Sequence, residues 1–267
     1  MNNLIRSYIS FGRASRRVIV GWWWVLPLAW LAGPSRCWPR NGIRLLKQRP
    51  VQVKLQGGNR FLCYLDEVFT IIEVIVFEEY GSVQKSLATI VDIGANIGVS
   101  SVWLAQKYPE ATIWSFEPAP STFSRLQVNV ALNGIESRVH LIAAAAAGTN
   151  GHGTFAIGPT SSTSSLSNSE STGICVNLIS LPAILEMVGG QVDLMKIDCE
   201  GGEYDFFACA SQDALKAIRH IVGEAHDVGS ERHGIMISKL RDAGFTVSEF
   251  KVRGQLETFE AHQTELL

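Results

Sequence analysis

From residue 87 onward, short apolar runs rich in β-branched residues alternate with longer stretches whose apolar positions recur at helical spacing, and that alternation admits few folds. Strands read at 87–93, 111–116 and 139–144 are separated by helices at 97–107 and 121–133. The unit is βαβαβ, and it predicts an α/β chain with a parallel sheet covered by helices on both faces. The second half continues it with helix 181–188, strand 192–197, helix 203–209, strand 218–222, helix 232–243 and two last strands near 245–250 and 256–262. Ahead of this series, 51–55 and 60–65 flank Gly57-Gly58-Asn59 as a hairpin. The stretch 67–80 then carries Val68, Ile71, Ile72, Ile75 and Val76 at helical spacing, although its β-branched content leaves strand open as well. Between the halves, residues 160–172 are mostly serine and threonine, readable either as a lid over a site or as a plain solvated connection.

Composition excludes several classes. Lys and Arg total 23 against 25 Asp and Glu, so the chain has no electrostatic footprint for a nucleic-acid backbone. With 46% hydrophobic and 18% charged residues it can fill a core, which excludes a wholly disordered chain. Cys37, Cys63, Cys175, Cys199 and Cys209 form an odd set without a CxxC pair, an argument against a disulfide framework or a structural zinc and for a reducing compartment. The one break in composition is residues 18–35, VIVGWWWVLPLAWLAGPS, uncharged and flanked by Arg13, Arg16 and Arg17 before and Arg36, Arg40 and Arg44 after. Trp22, Trp23, Trp24, Trp30 and Trp38 lie in or beside it. The run is short for a span and holds Pro27, whereas tryptophans and flanking arginines suit an anchor lying in the membrane interface. A cleaved signal peptide and an apolar segment packed on the domain are the other readings.

The chemistry gathers where open α/β sheets bind ligands, at the carboxyl ends of the strands. The first long strand ends in Asp92-Ile93-Gly94-Ala95-Asn96-Ile97-Gly98. Gly94 lets the chain turn and brings backbone amides close to a ligand, while Gly98 permits tight packing of the following helix on the sheet. The GxGxxG fingerprint of a dinucleotide site is absent, which removes the main support for an oxidoreductase. Glu117, 25 residues after Asp92, stands at the next strand's tip, where a carboxylate can accept hydrogen bonds from both ribose hydroxyls of a nucleoside.

At the fourth tip, Lys196, Asp198 and Glu200 fall on one side if the strand stays extended that far. With Glu224 and His226 from the fifth tip they form a candidate catalytic set. Asp198 and Glu200 lead as acceptors of a proton, and His226, which ordinarily titrates near neutrality, is the natural general base. Ion pairing is the alternative, above all for Lys196. Oxygen and imidazole ligands at Asp198, Glu224 and His226 can together bind a divalent ion, although no tight-spacing motif demands one. Cys199, between two acids, reads as packing rather than nucleophile.

These motifs resemble the FkbM-type methyltransferase family of class I S-adenosylmethionine-dependent methyltransferases. The resemblance lies in VDIGANIGVSS at 91–101, FEPAPSTFSRLQVNVALNG at 116–134, VDLMKIDCEGGEYDFF at 192–207 and GEAHD at 223–227, with EEY at 78–80 as lead-in. Cys199 and the plain alanine run 143–147 depart from the usual pattern. The resemblance implies a Rossmann-like fold with a mostly parallel seven-stranded sheet and an antiparallel last strand, residues 51–267 as the methyltransferase domain and 1–50 as a separate segment. It implies S-adenosylmethionine as cofactor, with Gly94, Ala95, Asn96 and Gly98 shaping the loop beside its methionine moiety. Asp92 would orient that loop, with contact to the methionine amino group either direct or through water, Glu117 would hold the ribose, and Pro118, Ala144 and Ala145 would wall the adenine.

The expected activity is O-methylation of a hydroxyl on a small molecule, sugar or lipid-linked glycan, by a cytoplasmic domain leaning on the inner membrane face, without nucleic-acid partners. A non-catalytic nucleoside-binding scaffold of the same fold is the alternative.

Overall fold

Two short runs on either side of a glycine turn close a hairpin: Val51–Lys54 (β1) pairs antiparallel with Arg60–Cys63 (β2), Val51 opposite Cys63. The computed structural model of the chain describes residues 19–20, 50–76, 86–156, 165–166, 173–226, 230–253 and 256–264. After a 3-10 turn at Leu65–Glu67, Val68–Val76 (α1) is helical, its β-branched residues notwithstanding. Val68, Ile71 and Ile72 are wholly buried, so burial of one helical face overrides local propensity. Buried Glu67 pairs with Arg125 at 2.7 Å, and the guanidinium lies over the Tyr64 ring.

The alternating series follows: Thr89–Ile93 (β3), Val99–Lys107 (α2), Thr112–Phe116 (β4), Pro120–Leu132 (α3) and Val139–Ile142 (β5). Then come four strands that the sequence pattern does not announce, Ala145–Ala146 (β6), Gly151–Ala156 (β7), Ser165–Leu166 (β8) and Gly173–Ile179 (β9). Leu181–Val188 (α4), Val192–Ile197 (β10), Glu203–Cys209 (α5), Gln212–Lys216 (α6), Ile218–His226 (β11), Glu231–Asp242 (α7), Phe245–Arg253 (β12) and Leu256–Gln263 (β13) complete the described elements. Helix α6 is also new, started by Ser211, whose hydroxyl accepts from the Ala214 amide.

The main sheet has seven strands in the order β12-β13-β11-β10-β3-β4-β5. Neighbours from β11 to β5 are parallel, and β13 runs antiparallel to both β11 and β12. This is the class I methyltransferase arrangement, with the antiparallel last strand as expected. Period-two alternation divides the core. Ile90, Ile113, Leu194 and Val222 face the hairpin, α1, α2 and α3, while Val91, Met195 and Ile221 face α4, α5, α6 and α7.

The added strands make a second sheet, β6-β9-β7-β8, parallel at β6 and β9 and antiparallel elsewhere. Its Ala145, Phe155 and Val176 cluster with Ala119, just past the tip of β4. The stretch 160–172 therefore contributes β8; the rest of it lies outside the described residues, and so does the lid reading.

Of the tryptophan-rich segment 18–35, only Ile19 and Val20 are described. Ile19 bridges antiparallel to Leu55 and is 1% exposed, within the same core cluster as the hairpin. The Val20 amide donates to the Lys54 carbonyl at 2.8 Å. No helix among the described residues is long and apolar enough to cross a membrane.

Candidate functional site

The tips of β3, β4, β10 and β11 stand side by side at the carboxyl edge of the sheet, so the predicted residues converge in two groups. At the first, the chain leaves β3 through Gly94 at φ +71°, whose amide and that of Ala95 both donate to the Phe116 carbonyl. A Cβ on Gly94 would lie 1.7 Å from the Asp198 carbonyl oxygen, a close approach only glycine allows. Gly98 makes room for Leu126, whose Cδ1 would be 2.6 Å from its Cβ. That is tight packing of α2 against α3, rather than on the sheet as expected. Asn96 takes φ 51°, its amide donates to Glu117 Oε2 at 3.1 Å, and its Oδ1 is a buried atom with no hydrogen-bond partner among the described residues.

Glu117 is 7% exposed and accepts from the Ala119 amide on its other oxygen at 2.8 Å. Burial pushes its pKa up to about 7, against the pull of those amides and of Lys196 and Arg125. A carboxylate held by two amides keeps lone pairs for further donors. Pro118 is half-buried beside it. Ala144 and Ala145 are buried in two different clusters, the first with Phe116 and Ile179, the second with Ala119 and Phe155. The second sheet thus backs the expected adenine wall, a contribution with no signal in the sequence.

Beneath the loop runs a buried polar row. Ser115, Asp92 and Lys196 are register neighbours on β4, β3 and β10, all on the α2 side of the sheet. Asp92 Oδ2 accepts from the Ser100 and Ser101 hydroxyls at 2.7 Å each, and Oδ1 lies 3.3 Å from Lys196 Nζ. The lysine also donates to the carbonyls of Ile93 and Gly94 at 3.1 and 2.8 Å. Burial works against its charge, but Asp92, Asp198 and Glu224 outweigh it and raise its pKa. Two expectations change accordingly. Asp92, with no exposed surface, lies beneath the loop it was expected to orient and has no face for a direct contact with the methionine group, and Lys196 makes the carboxylate pair that was the alternative to a catalytic part.

The second group lies where β10 and β11 end. Strand β10 stops at Ile197 and Glu200 adopts φ 56°, so the alternation expected to align Lys196, Asp198 and Glu200 breaks at the turn. Strand β11 runs four residues past its expected end, and this carries Glu224 and His226 to the same place. Ligand atoms of Asp198, Glu224 and His226 lie within 4.8 Å of one another. His226 Nε2 is 3.3 Å from Glu200 Oε2, and Nδ1 is 3.3 Å from Glu203 Oε1.

Glu203 is the residue that sequence reasoning missed. It is 0% exposed at the start of α5 and also accepts from the amides of Gly201 and His226 at 2.8 and 2.9 Å. Burial alone would raise its pKa, but the hydrogen bonds and charge of His226 hold it below the usual carboxylate value. Its signal was an acid directly after Gly201-Gly202 at a helix start, where free amides need an acceptor.

For His226, burial would lower the pKa, but Glu203 first, then Asp198 and Glu200, carry it up to about 9. Without ligands, the imidazole is therefore charged at neutral pH and donates, contrary to its expected part as general base. Burial and the Asp198 charge push Glu200 up to about 7, against the pull of His226. Burial and the Glu203 charge raise the Cys199 thiol, in keeping with a packing role.

The chain is similar in part to known methyltransferases. Methyltransferase 1 of Beauveria bassiana is 50% identical over 46 residues, 17% of this chain and 18% of that protein. The 31-O-demethyl-FK506 methyltransferase FkbM of Streptomyces tacrolimicus is 26% identical over 189 residues, 59% of this chain and 72% of its own. The chain thus spans under a fifth of the first relative's length. A solved structure of TYW2 from M. jannaschii in complex with AdoMet is 13% identical, with a TM-score of 0.46, 80% of this chain covered and 85% of that one. The family model for the methyltransferase FkbM domain matches residues 92–247, from the buried Asp92 through both strand-tip groups to β12, and the chain belongs to that family.

Proposed function

We propose that the chain is an S-adenosylmethionine-dependent O-methyltransferase acting on a hydroxyl of a small molecule, sugar or lipid-linked glycan. The observation that carries this is the buried Glu117 carboxylate, fixed by the amides of Asn96 and Ala119 beside the glycine turn. Such a carboxylate fits a ribose diol, and the partnerless Asn96 Oδ1 fits a donor such as the methionine ammonium. When bound, S-adenosylmethionine supplies an electrophilic methyl group on sulfur. The chain's own residues then hold the reactants. Glu117 accepts from the ribose hydroxyls, Lys196 keeps the Gly94 turn in place from below, and the acids at Asp198 and Glu200 orient the acceptor hydroxyl and receive its proton as the new bond forms. His226, clamped by Glu203, donates toward that oxygen.

The uncharged tryptophan-rich run between arginines supports an amphiphilic acceptor met at the inner face of a membrane. The near balance of charge supports an acceptor other than nucleic acid. The test is transfer of labelled methyl from S-adenosylmethionine to a panel of hydroxylated glycans, lipids and soluble metabolites by the full chain. Product with a new methyl ether, lost in Asp198→Asn, supports the reading. A folded, cofactor-binding chain that methylates none of them favours the scaffold alternative.

A further inference from the structure

The near balance of charge over the whole chain conceals two unequal parts. Residues 1–65 hold 11 lysines and arginines and no acid, whereas residues 66–267 hold the other 12 together with all 25 acids. Segregation of this kind points to a polyanionic partner, a nucleic acid or an anionic membrane. The basic part is interrupted by the uncharged run 18–35, which carries Trp22, Trp23, Trp24 and Trp30. Such a run gains little from a phosphate backbone, but it partitions into the headgroup region of a bilayer, where indole rings settle.

The fold adds where this part joins the domain. Ile19 is buried in the core cluster that includes the hairpin and bridges to Leu55, and the Val20 amide donates to the Lys54 carbonyl. The run is therefore pinned at its start to the edge of β1, and cleavage behind it would take Ile19 out of the core. A span does not fit either. Between Val20 and Arg36 lie 15 residues without charge, which as a helix reach only about 22 Å against a hydrocarbon core of about 30 Å.

On the hairpin itself, Lys54 and Arg60 are register partners, both exposed, and they carry the basic part onto the folded surface. The hairpin is in turn tied to the cofactor loop. Asn129 of α3 accepts from the Leu62 amide and donates to the carbonyls of Leu62 and Ile97, and Asn133 holds the backbone of Arg60. Whatever the hairpin rests on thus sets the direction in which the glycine loop faces.

We infer that the hairpin face bearing Lys54 and Arg60, with the run pinned beside it, docks on an anionic phospholipid surface and enters one leaflet without crossing it. The basic side chains meet the lipid phosphates, the indoles enter the headgroup layer, and the acidic remainder of the chain is turned from the surface by its own charge. This rests on the membrane-facing part of the proposed function, to which it gives a lipid class and an orientation, and not on methyl transfer.

The full chain is mixed with vesicles of phosphatidylcholine alone and of phosphatidylcholine with an equal part of phosphatidylglycerol, and binding is read by co-sedimentation and tryptophan emission. The expected result is binding to the mixed vesicles at least about tenfold tighter than to the neutral ones, weakened by salt, with emission shifted to the blue. Lys54→Glu with Arg60→Glu, at exposed positions, should weaken it about tenfold or more. Trp22→Ser, Trp23→Ser and Trp24→Ser together should remove the blue shift. Thermal melting and S-adenosylhomocysteine titration of the same variants report whether each remains folded with its cofactor site intact. Absence of binding, equal binding to both vesicles, or affinity unchanged in a folded Lys54→Glu, Arg60→Glu chain overturns the proposal. Binding to a short duplex DNA in place of vesicles also overturns it and assigns the basic part to nucleic acid. S-adenosylhomocysteine binding without vesicle binding rejects the membrane partner while leaving the methyltransferase reading in place; vesicle binding without S-adenosylhomocysteine binding does the reverse.

Discussion

The two groups at the sheet's edge are built on opposite terms. At the tips of β3 and β4 the charged oxygens are tied to fixed donors: Glu117 to two amides, Asp92 to two hydroxyls and a lysine. At the tips of β10 and β11 the carboxylates face one another across a single imidazole. The first is a preformed cradle whose shape is set by backbone, as suits a cofactor common to many reactions. The second keeps a surplus of negative charge near solvent, as suits a place where an acceptor is oriented and a proton moves. Lys196 joins the two, since it sits on β10 but spends its ammonium on the β3 turn.

The largest expected effect tests how rigid the cradle is. Gly94→Ala puts a methyl group 1.7 Å from a backbone oxygen at a residue with φ +71°, so urea unfolding should report a loss of at least about 3 kcal/mol. A loss below about 1 kcal/mol would mean that β3 and β10 exit farther apart than described.

Next is the pH dependence of the cradle. The Glu117 carboxyl has its pKa raised from 4.5 to about 7 in the folded chain, so the fold favours the protonated form. Its contribution to stability is complete below about pH 4.5 and is lost as pH rises through about 7. Ligand-free chain should lose about 3 kcal/mol across that window, since each tenfold change in proton affinity between folded and unfolded chain is worth about 1.4 kcal/mol. Glu117→Gln should flatten that part of the profile, and an unchanged slope in the variant would assign it elsewhere. On the proposed ribose contact, hydroxyls donate to the ionised form, so S-adenosylhomocysteine affinity should in turn fall as pH drops below 7.

The smallest effect is a control away from both groups. Arg219, at the far end of β11, pairs with Asp193 at 2.7 Å but is about half exposed. Arg219→Ala should therefore change stability by no more than about 0.5 kcal/mol and leave cofactor affinity alone. A larger effect would show that the sheet's opposite edge is coupled to the tips.

The comparison also explains what could be read from the sequence. The cradle was legible because Gly94, Gly98 and Glu117 answer to local demands: a turn, a close approach, a strand tip. The strands of the main sheet were legible because buried central strands are continuous apolar runs. The second sheet was not, since GHGTFA in β7 carries two glycines and β6 is only two alanines long. Such strands exist through pairing with β9 across a long separation rather than through their own propensity. The group at the tips of β10 and β11 was half legible. Its members were named, but the turn at Glu200 and the charge on His226 depend on Glu203, and a partner 23 residues away in sequence leaves no periodic trace. Lys196 was legible in part: ion pairing was the alternative named for it, but the strand's alternation gave its face and not which carboxylate, Asp92, waits there.

The most direct test of the central claim is calorimetric titration of the full chain with S-adenosylhomocysteine, beside Glu117→Ala. Loss of a charged acceptor for two ribose hydroxyls should weaken binding about a hundredfold. One-to-one binding by the natural chain with that loss in a folded variant is the predicted result. No binding by the folded natural chain, or equal binding by both, would contradict the account.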